Sequence, residues 1–247
     1  MHTSLPFPYA PLVYAEPLSV GNSIRLDSRQ AAALQFRQIN LSEAFTLGDS
    51  TGRWFRASLR QTGDRGGEAL VYEEMPHPPE SPLALTLVCA VLARQRMMFV
   101  VQKATELGAT WIFPVLTERS VAEEGLEHEK AHAWPNQVLR ACKQCRRASV
   151  PLLSEPLPLA AALRSPPWRQ AEARWYLDDR AGQAQPMIAG PASAGLAVGP
   201  EGGWAPAEQA LLGTAGACPV VLGGRVLRAE TAMVAGMVLV QHHLGDL

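Results

Sequence analysis

The sequence predicts an α/β protein in two parts, a small β-rich domain followed by a larger α/β domain. Short alternating segments dominate the first 75 residues, and apolar runs alternate with helical patterns after residue 82. Four prolines lie between these regions, within residues 75–82. Proline interrupts helices and inner strands, so this cluster marks a boundary. We therefore predict one domain over residues 1–78 and a second over residues 79–247.

The composition is that of a globular protein. The chain has 247 residues, of which 47% are hydrophobic, and a net charge of −1, which argues against a generic polyanion binder. No apolar stretch reaches the roughly 18–20 residues of a membrane span, and the N-terminus lacks the basic region of a signal peptide. Four irregularly spaced cysteines favour reduced thiols over a disulfide framework. We expect a cytoplasmic protein with no membrane partner.

The N-terminal domain is predicted from alternating polar and apolar positions. These patterns cover residues 22–26, 53–59 and 69–72, and they are separated by turn residues such as Thr51-Gly52 and Gly63-Asp64. Such spacing is typical of antiparallel strands joined by short turns. The pattern indicates a small β-barrel or sheet.

The C-terminal domain is predicted from strands and helices that alternate along the chain. Strands are expected at residues 83–91, 111–115, 174–177, 195–198 and 219–222. Helices are expected at residues 94–107, 131–148, 206–212 and 230–243. A parallel sheet follows, and such sheets bind ligands beyond the carboxyl ends of their strands.

Two glycine-rich loops follow the last two predicted strands. The first is Gly199-Pro-Glu-Gly-Gly203, before Trp204, and the second is the segment Leu222-Gly-Gly-Arg-Val-Leu-Arg-Ala-Glu-Thr-Ala232. Glycine allows the backbone to come close to a ligand. Neither loop continues into the Gly-Lys-Ser/Thr of a P-loop, and no Gly-x-Gly-x-x-Gly opens the first βα unit. The loops therefore indicate a ligand site that is neither a P-loop nor an ordinary dinucleotide site.

These two loops resemble the paired signature of the RsmE family, the ribosomal RNA uridine-N3 methyltransferases of the SPOUT class. Gln102-Lys-Ala-Thr-Glu-Leu-Gly108 and residues 114–120, with their Thr-Glu-Arg-Ser, are similar to earlier motifs of that family in the same order. The resemblance covers roughly residues 83–244. It implies a C-terminal SPOUT domain with a deep trefoil knot, one of the rare exceptions to the rule against knots. It also implies a PUA-like, RNA-binding β-barrel before it, and a homodimer.

The resemblance further implies that S-adenosyl-L-methionine lies bent in the knot, in contact with both loops. No metal site is expected, because Cys142 and Cys145 lack a second Cys/His pair at ligand spacing. The residues expected to bind the cofactor are Leu177, Gly199, Pro200, Glu201, Gly202, Gly203, Leu222, Gly223, Val226, Leu227 and Arg228.

Three side chains are candidates for catalysis. Uracil N3 lies on the Watson–Crick edge, so the target base must be unpaired or flipped out. Arg228 is expected to neutralise the uracil oxygens, and Glu201 or Glu230 to accept the N3 proton. Each carboxylate also has an ordinary interpretation, since Glu201 could order its own loop and Glu230 could favour the N-terminus of the last helix.

Arginines in both domains are candidates for contact with RNA. Arg25 and Arg37 lie in the predicted barrel. Arg140, Arg146 and Arg147 fall at helical spacings that would put them on one face, which could equally be an ordinary solvated face. The family has a Glu-Gln-Ser-x-Arg run here, whereas this chain has Lys143-Gln-Cys-Arg-Arg147, so contacts of that glutamate and serine do not carry over.

The leading hypothesis is S-adenosylmethionine-dependent methylation of N3 of a specific uridine in 16S ribosomal RNA. The expected partner is that RNA or the small ribosomal subunit. Two alternatives remain: a SPOUT methyltransferase that acts on another RNA position, such as a ribose 2′-hydroxyl or a tRNA base, and a non-catalytic RNA-binding assembly protein.

Overall fold

The chain forms two compact units in the computed structural model, which describes residues 5–179 and 192–246. The N-terminal unit consists of residues 5–81 together with Leu139–Val150. The C-terminal unit consists of residues 82–138 and 151–246. The N-terminal unit is thus discontinuous in sequence, and the predicted limits of 1–78 and 79–247 do not include this return of the chain.

The N-terminal unit is built on an antiparallel sheet with one helix. Its elements are β1 (Ser23–Leu26), α1 (Ser28–Phe36), β2 (Ala44–Gly48), β3 (Trp54–Gly63) and β4 (Gly66–Glu74). The strands pair in the order β1-β4-β3-β2, and each pairing is antiparallel. Alternate residues of β3 face a core in which Phe55 and Leu59 are almost fully buried. The three predicted strands are present, whereas α1 and β2 were not predicted.

Helix α1 begins with a capping box that the sequence contains. The backbone N–H of Gln30 donates to Asp27 Oδ1 at 2.7 Å, and the backbone N–H of Asp27 donates to Gln30 Oε1 at 3.0 Å. This reciprocal pair satisfies two N–H groups at the start of the helix. Leu34 anchors α1 in the core with no exposed surface.

Glu80 attaches the segment Leu139–Val150, the returning segment, to the rest of the N-terminal unit. It accepts hydrogen bonds from the backbone N–H groups of Ala148 and Ser149, at 2.7 and 2.8 Å, and forms an ion pair with Arg147 at 2.8 Å. Burial would raise the pKa of Glu80, but the charge of Arg147 and the bonds from Ser149 outweigh it and hold this pKa below its usual value. From the other side, Arg37 Nη1 donates to the carbonyl of Ala148 at 2.8 Å.

From residue 82 onward strands and helices alternate, as predicted. The elements are β5 (Ala84–Ala90), α2 (Arg94–Glu106), β6 (Ala109–Leu116), α3 (Trp134–Cys145), β7 (Leu152–Leu153), β8 (Leu157–Pro158), α4 (Leu159–Leu163), α5 (Pro166–Gln170), β9 (Ala173–Leu177), β10 (Ser193–Val198), α6 (Pro206–Thr214), β11 (Cys218–Val220) and α7 (Ala229–Leu244). The sheet order is β11-β9-β10-β5-β6-β7, with β8 also paired to β6, and every pairing is parallel.

The middle of this sheet is formed by the two most apolar strands. All six residues of β10 are buried, as are six of the seven in β5. A strand covered on both faces reads as a continuous apolar run, which is why the sequence reveals it. Gly195 in β10 is required by packing, because a Cβ there would lie 2.9 Å from the ring of Trp168.

The helix predicted over residues 131–148 is shorter in the structure. Helix α3 ends at Cys145, and Arg146 takes a left-handed conformation with φ of 63°. Arg146 and Arg147 therefore lie beyond the helix, and the predicted basic face does not continue through them. The error arises because the periodicity of side chains does not reveal where the backbone turns away.

Candidate functional site

A cleft of about 220 Å³ lies beyond the carboxyl ends of three neighbouring strands, β11, β9 and β10. This is where a parallel sheet is expected to hold its ligand. Nine of the eleven residues predicted to bind a cofactor line it: Leu177, Gly199, Pro200, Glu201, Gly203, Leu222, Gly223, Val226 and Leu227. Gly202 and Arg228 are not part of the lining.

One wall is the proline loop, residues 199–204, which packs on itself and on the end of β9. The Trp204 indole is buried and its Nε1 donates to the carbonyl of Leu177 at 3.0 Å. The same ring covers Gly199, where a Cβ would lie 3.0 Å from the indole. The role of Trp204 in the fold is therefore to pack against the loop.

Polar contacts from α2, α6 and the segment after β6 also hold the proline loop. Arg96 forms an ion pair with Glu201, and Arg119 Nη1 donates to the carbonyl of Gly202 at 2.8 Å. Glu208 accepts hydrogen bonds from the backbone N–H groups of Glu118 and Ala205, both at 2.8 Å. The Thr-Glu-Arg-Ser motif thus fastens the segment after β6 to the proline loop and to the start of α6.

The other wall is the arginine loop, residues 222–228, and it is much more exposed. Val226 is 81% exposed although it lines the cleft. Gly223 has a φ of 108°, a conformation that favours glycine. Arg228 is exposed and takes the N-cap position of α7 without a side-chain cap.

The three predicted catalytic residues are in different surroundings. Glu201 lines the cleft and is paired with Arg96, whereas Arg228 and Glu230 are outside the lining, next to Leu227 and Ala229 that form it. One carboxylate oxygen of Glu230, Oε2, is buried and has no hydrogen-bond partner in the described chain. Glu230 lies in the first turn of α7, where a carboxylate favours the N-terminus of the helix, so the ordinary interpretation of Glu230 fits its position.

The cleft is acidic, a property that is not among the sequence-based expectations. Asp178 and Asp179 follow β9 directly and join Glu201 in the lining, and the guanidinium of Arg225 is the basic group on the wall. Gln209 Nε2 donates to Asp178 Oδ2 at 2.8 Å and orients that carboxylate. The sequence contains the evidence for this, because two aspartates that directly follow a predicted parallel strand are expected at the edge of the sheet where ligands bind.

The arginines predicted to contact RNA divide into two groups. Arg25, Arg140 and Arg146 are exposed, and Arg146 pairs with Glu73 at 3.2 Å. Arg37 and Arg147 are 7% and 9% exposed and are engaged by groups inside the N-terminal unit. For these two the prediction of RNA contact is corrected, because their guanidinium groups hold the returning segment in place.

Neither a metal cluster nor a membrane-spanning helix is found in the described ranges. Residues 5–179 and 192–246 contain no group of three or more histidine, cysteine or acidic side chains placed to hold a metal ion. No helix in the same ranges combines the length and apolar composition needed to cross a bilayer.

Comparisons with known proteins extend over both units. Residues 79–241 match the family described as RNA methyltransferase domain. Ribosomal RNA small subunit methyltransferase E of Mycobacterium bovis is 34% identical over 218 residues, covering 83% of this chain and 80% of the relative. Its namesake in Synechocystis is 30% identical over 229 residues, covering 90% of this chain and 73% of the relative.

A solved structure is similar over nearly the whole chain. The crystal structure of a ribosomal RNA small subunit methyltransferase E from Neisseria gonorrhoeae, bound to S-adenosyl methionine, has a TM-score of 0.67 and 30% sequence identity. The match covers 95% of this chain and 98% of that chain.

Proposed function

The chain belongs to the ribosomal RNA small subunit methyltransferase E family, and from this premise we propose that it transfers the methyl group of S-adenosylmethionine to N3 of a uridine in small-subunit ribosomal RNA. The observation that carries the proposal is the cleft itself. Both glycine loops meet there, at the carboxyl ends of β9, β10 and β11. Catalysis of this kind needs few special side chains, because the cofactor supplies the activated methyl group and the protein supplies position.

The charges of the cleft suit this cofactor. S-adenosylmethionine has a positive sulfonium, a positive ammonium and a negative carboxylate. Asp178, Asp179 and Glu201 offer negative charge to the two cationic groups, and Arg225 offers a partner for the carboxylate. A nucleotide triphosphate would meet repulsion from the same three carboxylates. Backbone groups of the proline and arginine loops would hold the remaining polar atoms.

Arg228 is proposed to act on the RNA side of the cleft. It is exposed and lies between Leu227 and Ala229, which line the cleft, so its side chain is available to a base presented at the opening. As the N3 proton leaves, negative charge develops on the uracil oxygens. An arginine that meets these oxygens stabilises the charge at the moment it forms.

Glu201 is proposed as the acceptor of the N3 proton, directly or through a water molecule. It is the candidate carboxylate that lines the cleft, where Arg96 holds it by an ion pair. Glu230 does not line the cleft, and its unpartnered oxygen is enclosed.

The RNA is proposed to contact both units. Arg25, Arg140 and Arg146 are the exposed candidates that remain. We propose that the N-terminal unit, with its four-stranded sheet, is the PUA-like domain that the resemblance implies. The trefoil knot belongs to the same proposal. Strand β9 lies between β10 and β11 in the sheet. The chain must therefore cross β9 on its way from β10 to β11, as a threaded connection requires.

A homodimer and a cytoplasmic location complete the proposal. Apolar side chains are exposed on α2 and α7, which pack together: Phe99 is 40% exposed, Val238 39% and Leu239 38%. Burial of these side chains against a second copy would remove them from water. The compartment follows from the substrate, since the enzyme must work where ribosomal RNA is assembled into subunits.

The test is to delete the gene in its host and map methylation of ribosomal RNA by mass spectrometry. We expect N3-methyluridine to disappear from one position of the small-subunit RNA, and to return with the wild-type gene but not with Arg228→Ala. An unchanged level after deletion would contradict the proposal. Loss of a 2′-O-methyl group or of a tRNA methylation would favour another acceptor. No affinity for S-adenosylmethionine in calorimetry would favour a non-catalytic assembly protein.

A further inference from the structure

A second, smaller cavity lies inside the N-terminal unit. Its volume is about 30 Å³, and it is lined by residues around β2 and β3 and by the returning segment Leu139–Val150. One water molecule needs roughly 10–15 Å³ of such space, so the cavity has room for one or two species of that size. A nucleotide is much larger than this space.

Four basic side chains line this cavity, and two of them have carboxylate partners. Lys143 Nζ lies 2.9 Å from Glu43 Oε2. Arg147 Nη2 lies 2.8 Å from Glu80 Oε2. The charges of these two cations are therefore balanced within the unit.

Arg37 and Arg56 are the other two, and their hydrogen-bond acceptors are neutral. Each is only 7% exposed. Arg37 Nη1 donates to a backbone carbonyl, and Arg56 Nη1 donates to Thr46 Oγ1 at 2.7 Å. In both residues the Nε–H is buried and has no acceptor in the part of the chain that the structure describes. Burial lowers the pKa of Arg37 to about 10, so its guanidinium is still protonated at neutral pH.

Two buried cations beside one small cavity require a negative charge and a hydrogen-bond acceptor. A buried charge is costly unless it is paired, and a buried donor is costly unless it finds an acceptor. A water molecule would accept the hydrogen bonds but carries no charge, and Glu80, which attracts Arg37, is already paired with Arg147. We propose that the cavity binds one small monovalent anion of the chloride class, which accepts from the Nε–H groups of Arg37 and Arg56.

The bound anion would stabilise the attachment of the returning segment. Arg37 also donates to Ala148, and Arg147 and Lys143 of the segment line the same cavity. An anion at the centre therefore attracts cations on both sides of this contact and reduces the repulsion between them.

Thermal unfolding of the full chain tests the proposal. Sodium chloride and sodium gluconate are compared at equal ionic strength, because gluconate is too large for the cavity. We expect the midpoint to rise with chloride and to level off at roughly 5 °C above the gluconate value when chloride is about 100-fold above its dissociation constant. Equal midpoints in the two salts would overturn the proposal.

A matched pair of variants locates the effect. Arg56→Gln removes one of the two charges and should abolish the difference between chloride and gluconate. Arg60→Gln makes the same change at an exposed position of the same strand and should preserve it. Loss of the difference in both variants, or in neither, would contradict the assignment to this cavity.

Bromide provides a measurement that does not depend on a variant that folds. Crystals of the wild-type protein grown in sodium bromide should give an anomalous scattering peak between Arg37 and Arg56. Electron density for water alone, with no anomalous peak, would overturn the proposal.

Discussion

The proline loop and the arginine loop form opposite walls of one cleft and are supported in different ways. In the proline loop a buried tryptophan, an ion pair to Glu201 and a donor to the carbonyl of Gly202 fasten the backbone to α2, β9 and the segment after β6. Within residues 222–227 of the arginine loop, no comparable side-chain bond to another element is found in the described chain, and Val226 is largely exposed.

This difference in support indicates that the two walls have different functions. A wall that is already held in place can bind a ligand without a further ordering cost, which suits the cofactor. An exposed wall can present Arg228 to a large substrate such as RNA. Apart from Glu201, the proposed proton acceptor, substitutions in the proline loop should therefore change cofactor affinity, and substitutions in the arginine loop should change the rate with RNA.

The sharpest test is Arg228→Ala, for which we expect the largest effect. If the arginine stabilises charge that develops on uracil, its removal should lower the methylation rate by roughly 100- to 1,000-fold. Cofactor affinity, measured by calorimetry, should stay within about threefold, since Arg228 does not line the cleft. Arg228→Lys should recover part of the rate, because it keeps the charge but not the planar fork. A loss of cofactor affinity equal to the loss of rate would show that the arginine loop also serves to bind the cofactor, and would contradict the proposed difference between the two walls.

Glu208→Ala should produce the next largest effect, this time on the proline loop. The substitution leaves the buried N–H of Ala205 and the partly buried N–H of Glu118 without their acceptor, at a cost of about 1–3 kcal/mol. We expect calorimetry to show S-adenosylmethionine binding weakened by roughly tenfold. The control is Glu118→Ala, which removes an exposed side chain but keeps the backbone donor. Equal effects of the two variants would show that this contact does not support the loop.

A pair of glycine substitutions compares the two walls directly. A Cβ at Gly199 would lie 3.0 Å from the Trp204 indole, which its hydrogen bond to Leu177 keeps from moving away. At Gly224 a Cβ would meet nothing within 4 Å. Because overpacking typically costs about 1 kcal/mol or more, we expect Gly199→Ala to weaken cofactor binding about fivefold and Gly224→Ala to leave it unchanged. Cofactor titrations on both variants measure this, and the reverse order would contradict the comparison.

Arg96→Gln should have the smallest effect of the four. The side chains of Arg96 and Glu201 are 37% and 42% exposed, so water and salt screen their ion pair. Exposed pairs contribute about 0.2–1 kcal/mol, so we expect cofactor affinity to change by only about two- to threefold. The difference from wild type should shrink as salt is added in the titration. A larger effect that is insensitive to salt would mean that Arg96 contacts the cofactor itself.

Local signals in the sequence revealed the elements that position the cleft. The apolar runs of β5 and β10 and the two glycine-rich loops can be identified from neighbouring residues alone, and the structure has them where they were predicted. The capping box at Asp27 was also visible, yet α1 was missed because its short apolar face is mostly alanine.

Long-range contacts could not be predicted in the same way. Arg147 has the sequence surroundings of a solvated arginine, but its partner Glu80 lies 67 positions earlier in the chain. Arg37 likewise looks like a surface residue until Ala148 is brought to it from 111 positions away. No local pattern distinguishes a guanidinium that faces water from one that holds two distant segments together.

The discontinuity of the N-terminal unit has a consequence for synthesis of the protein on the ribosome. When residue 81 leaves the exit tunnel, Glu80 and Arg37 still lack the backbone groups of Ala148 and Ser149 that they bind. The ribosome must add roughly 70 more residues, which takes about 3–14 s at typical elongation speeds. During that interval the first-made part of the chain is incomplete, so its final folding must wait for a segment translated well after its own strands.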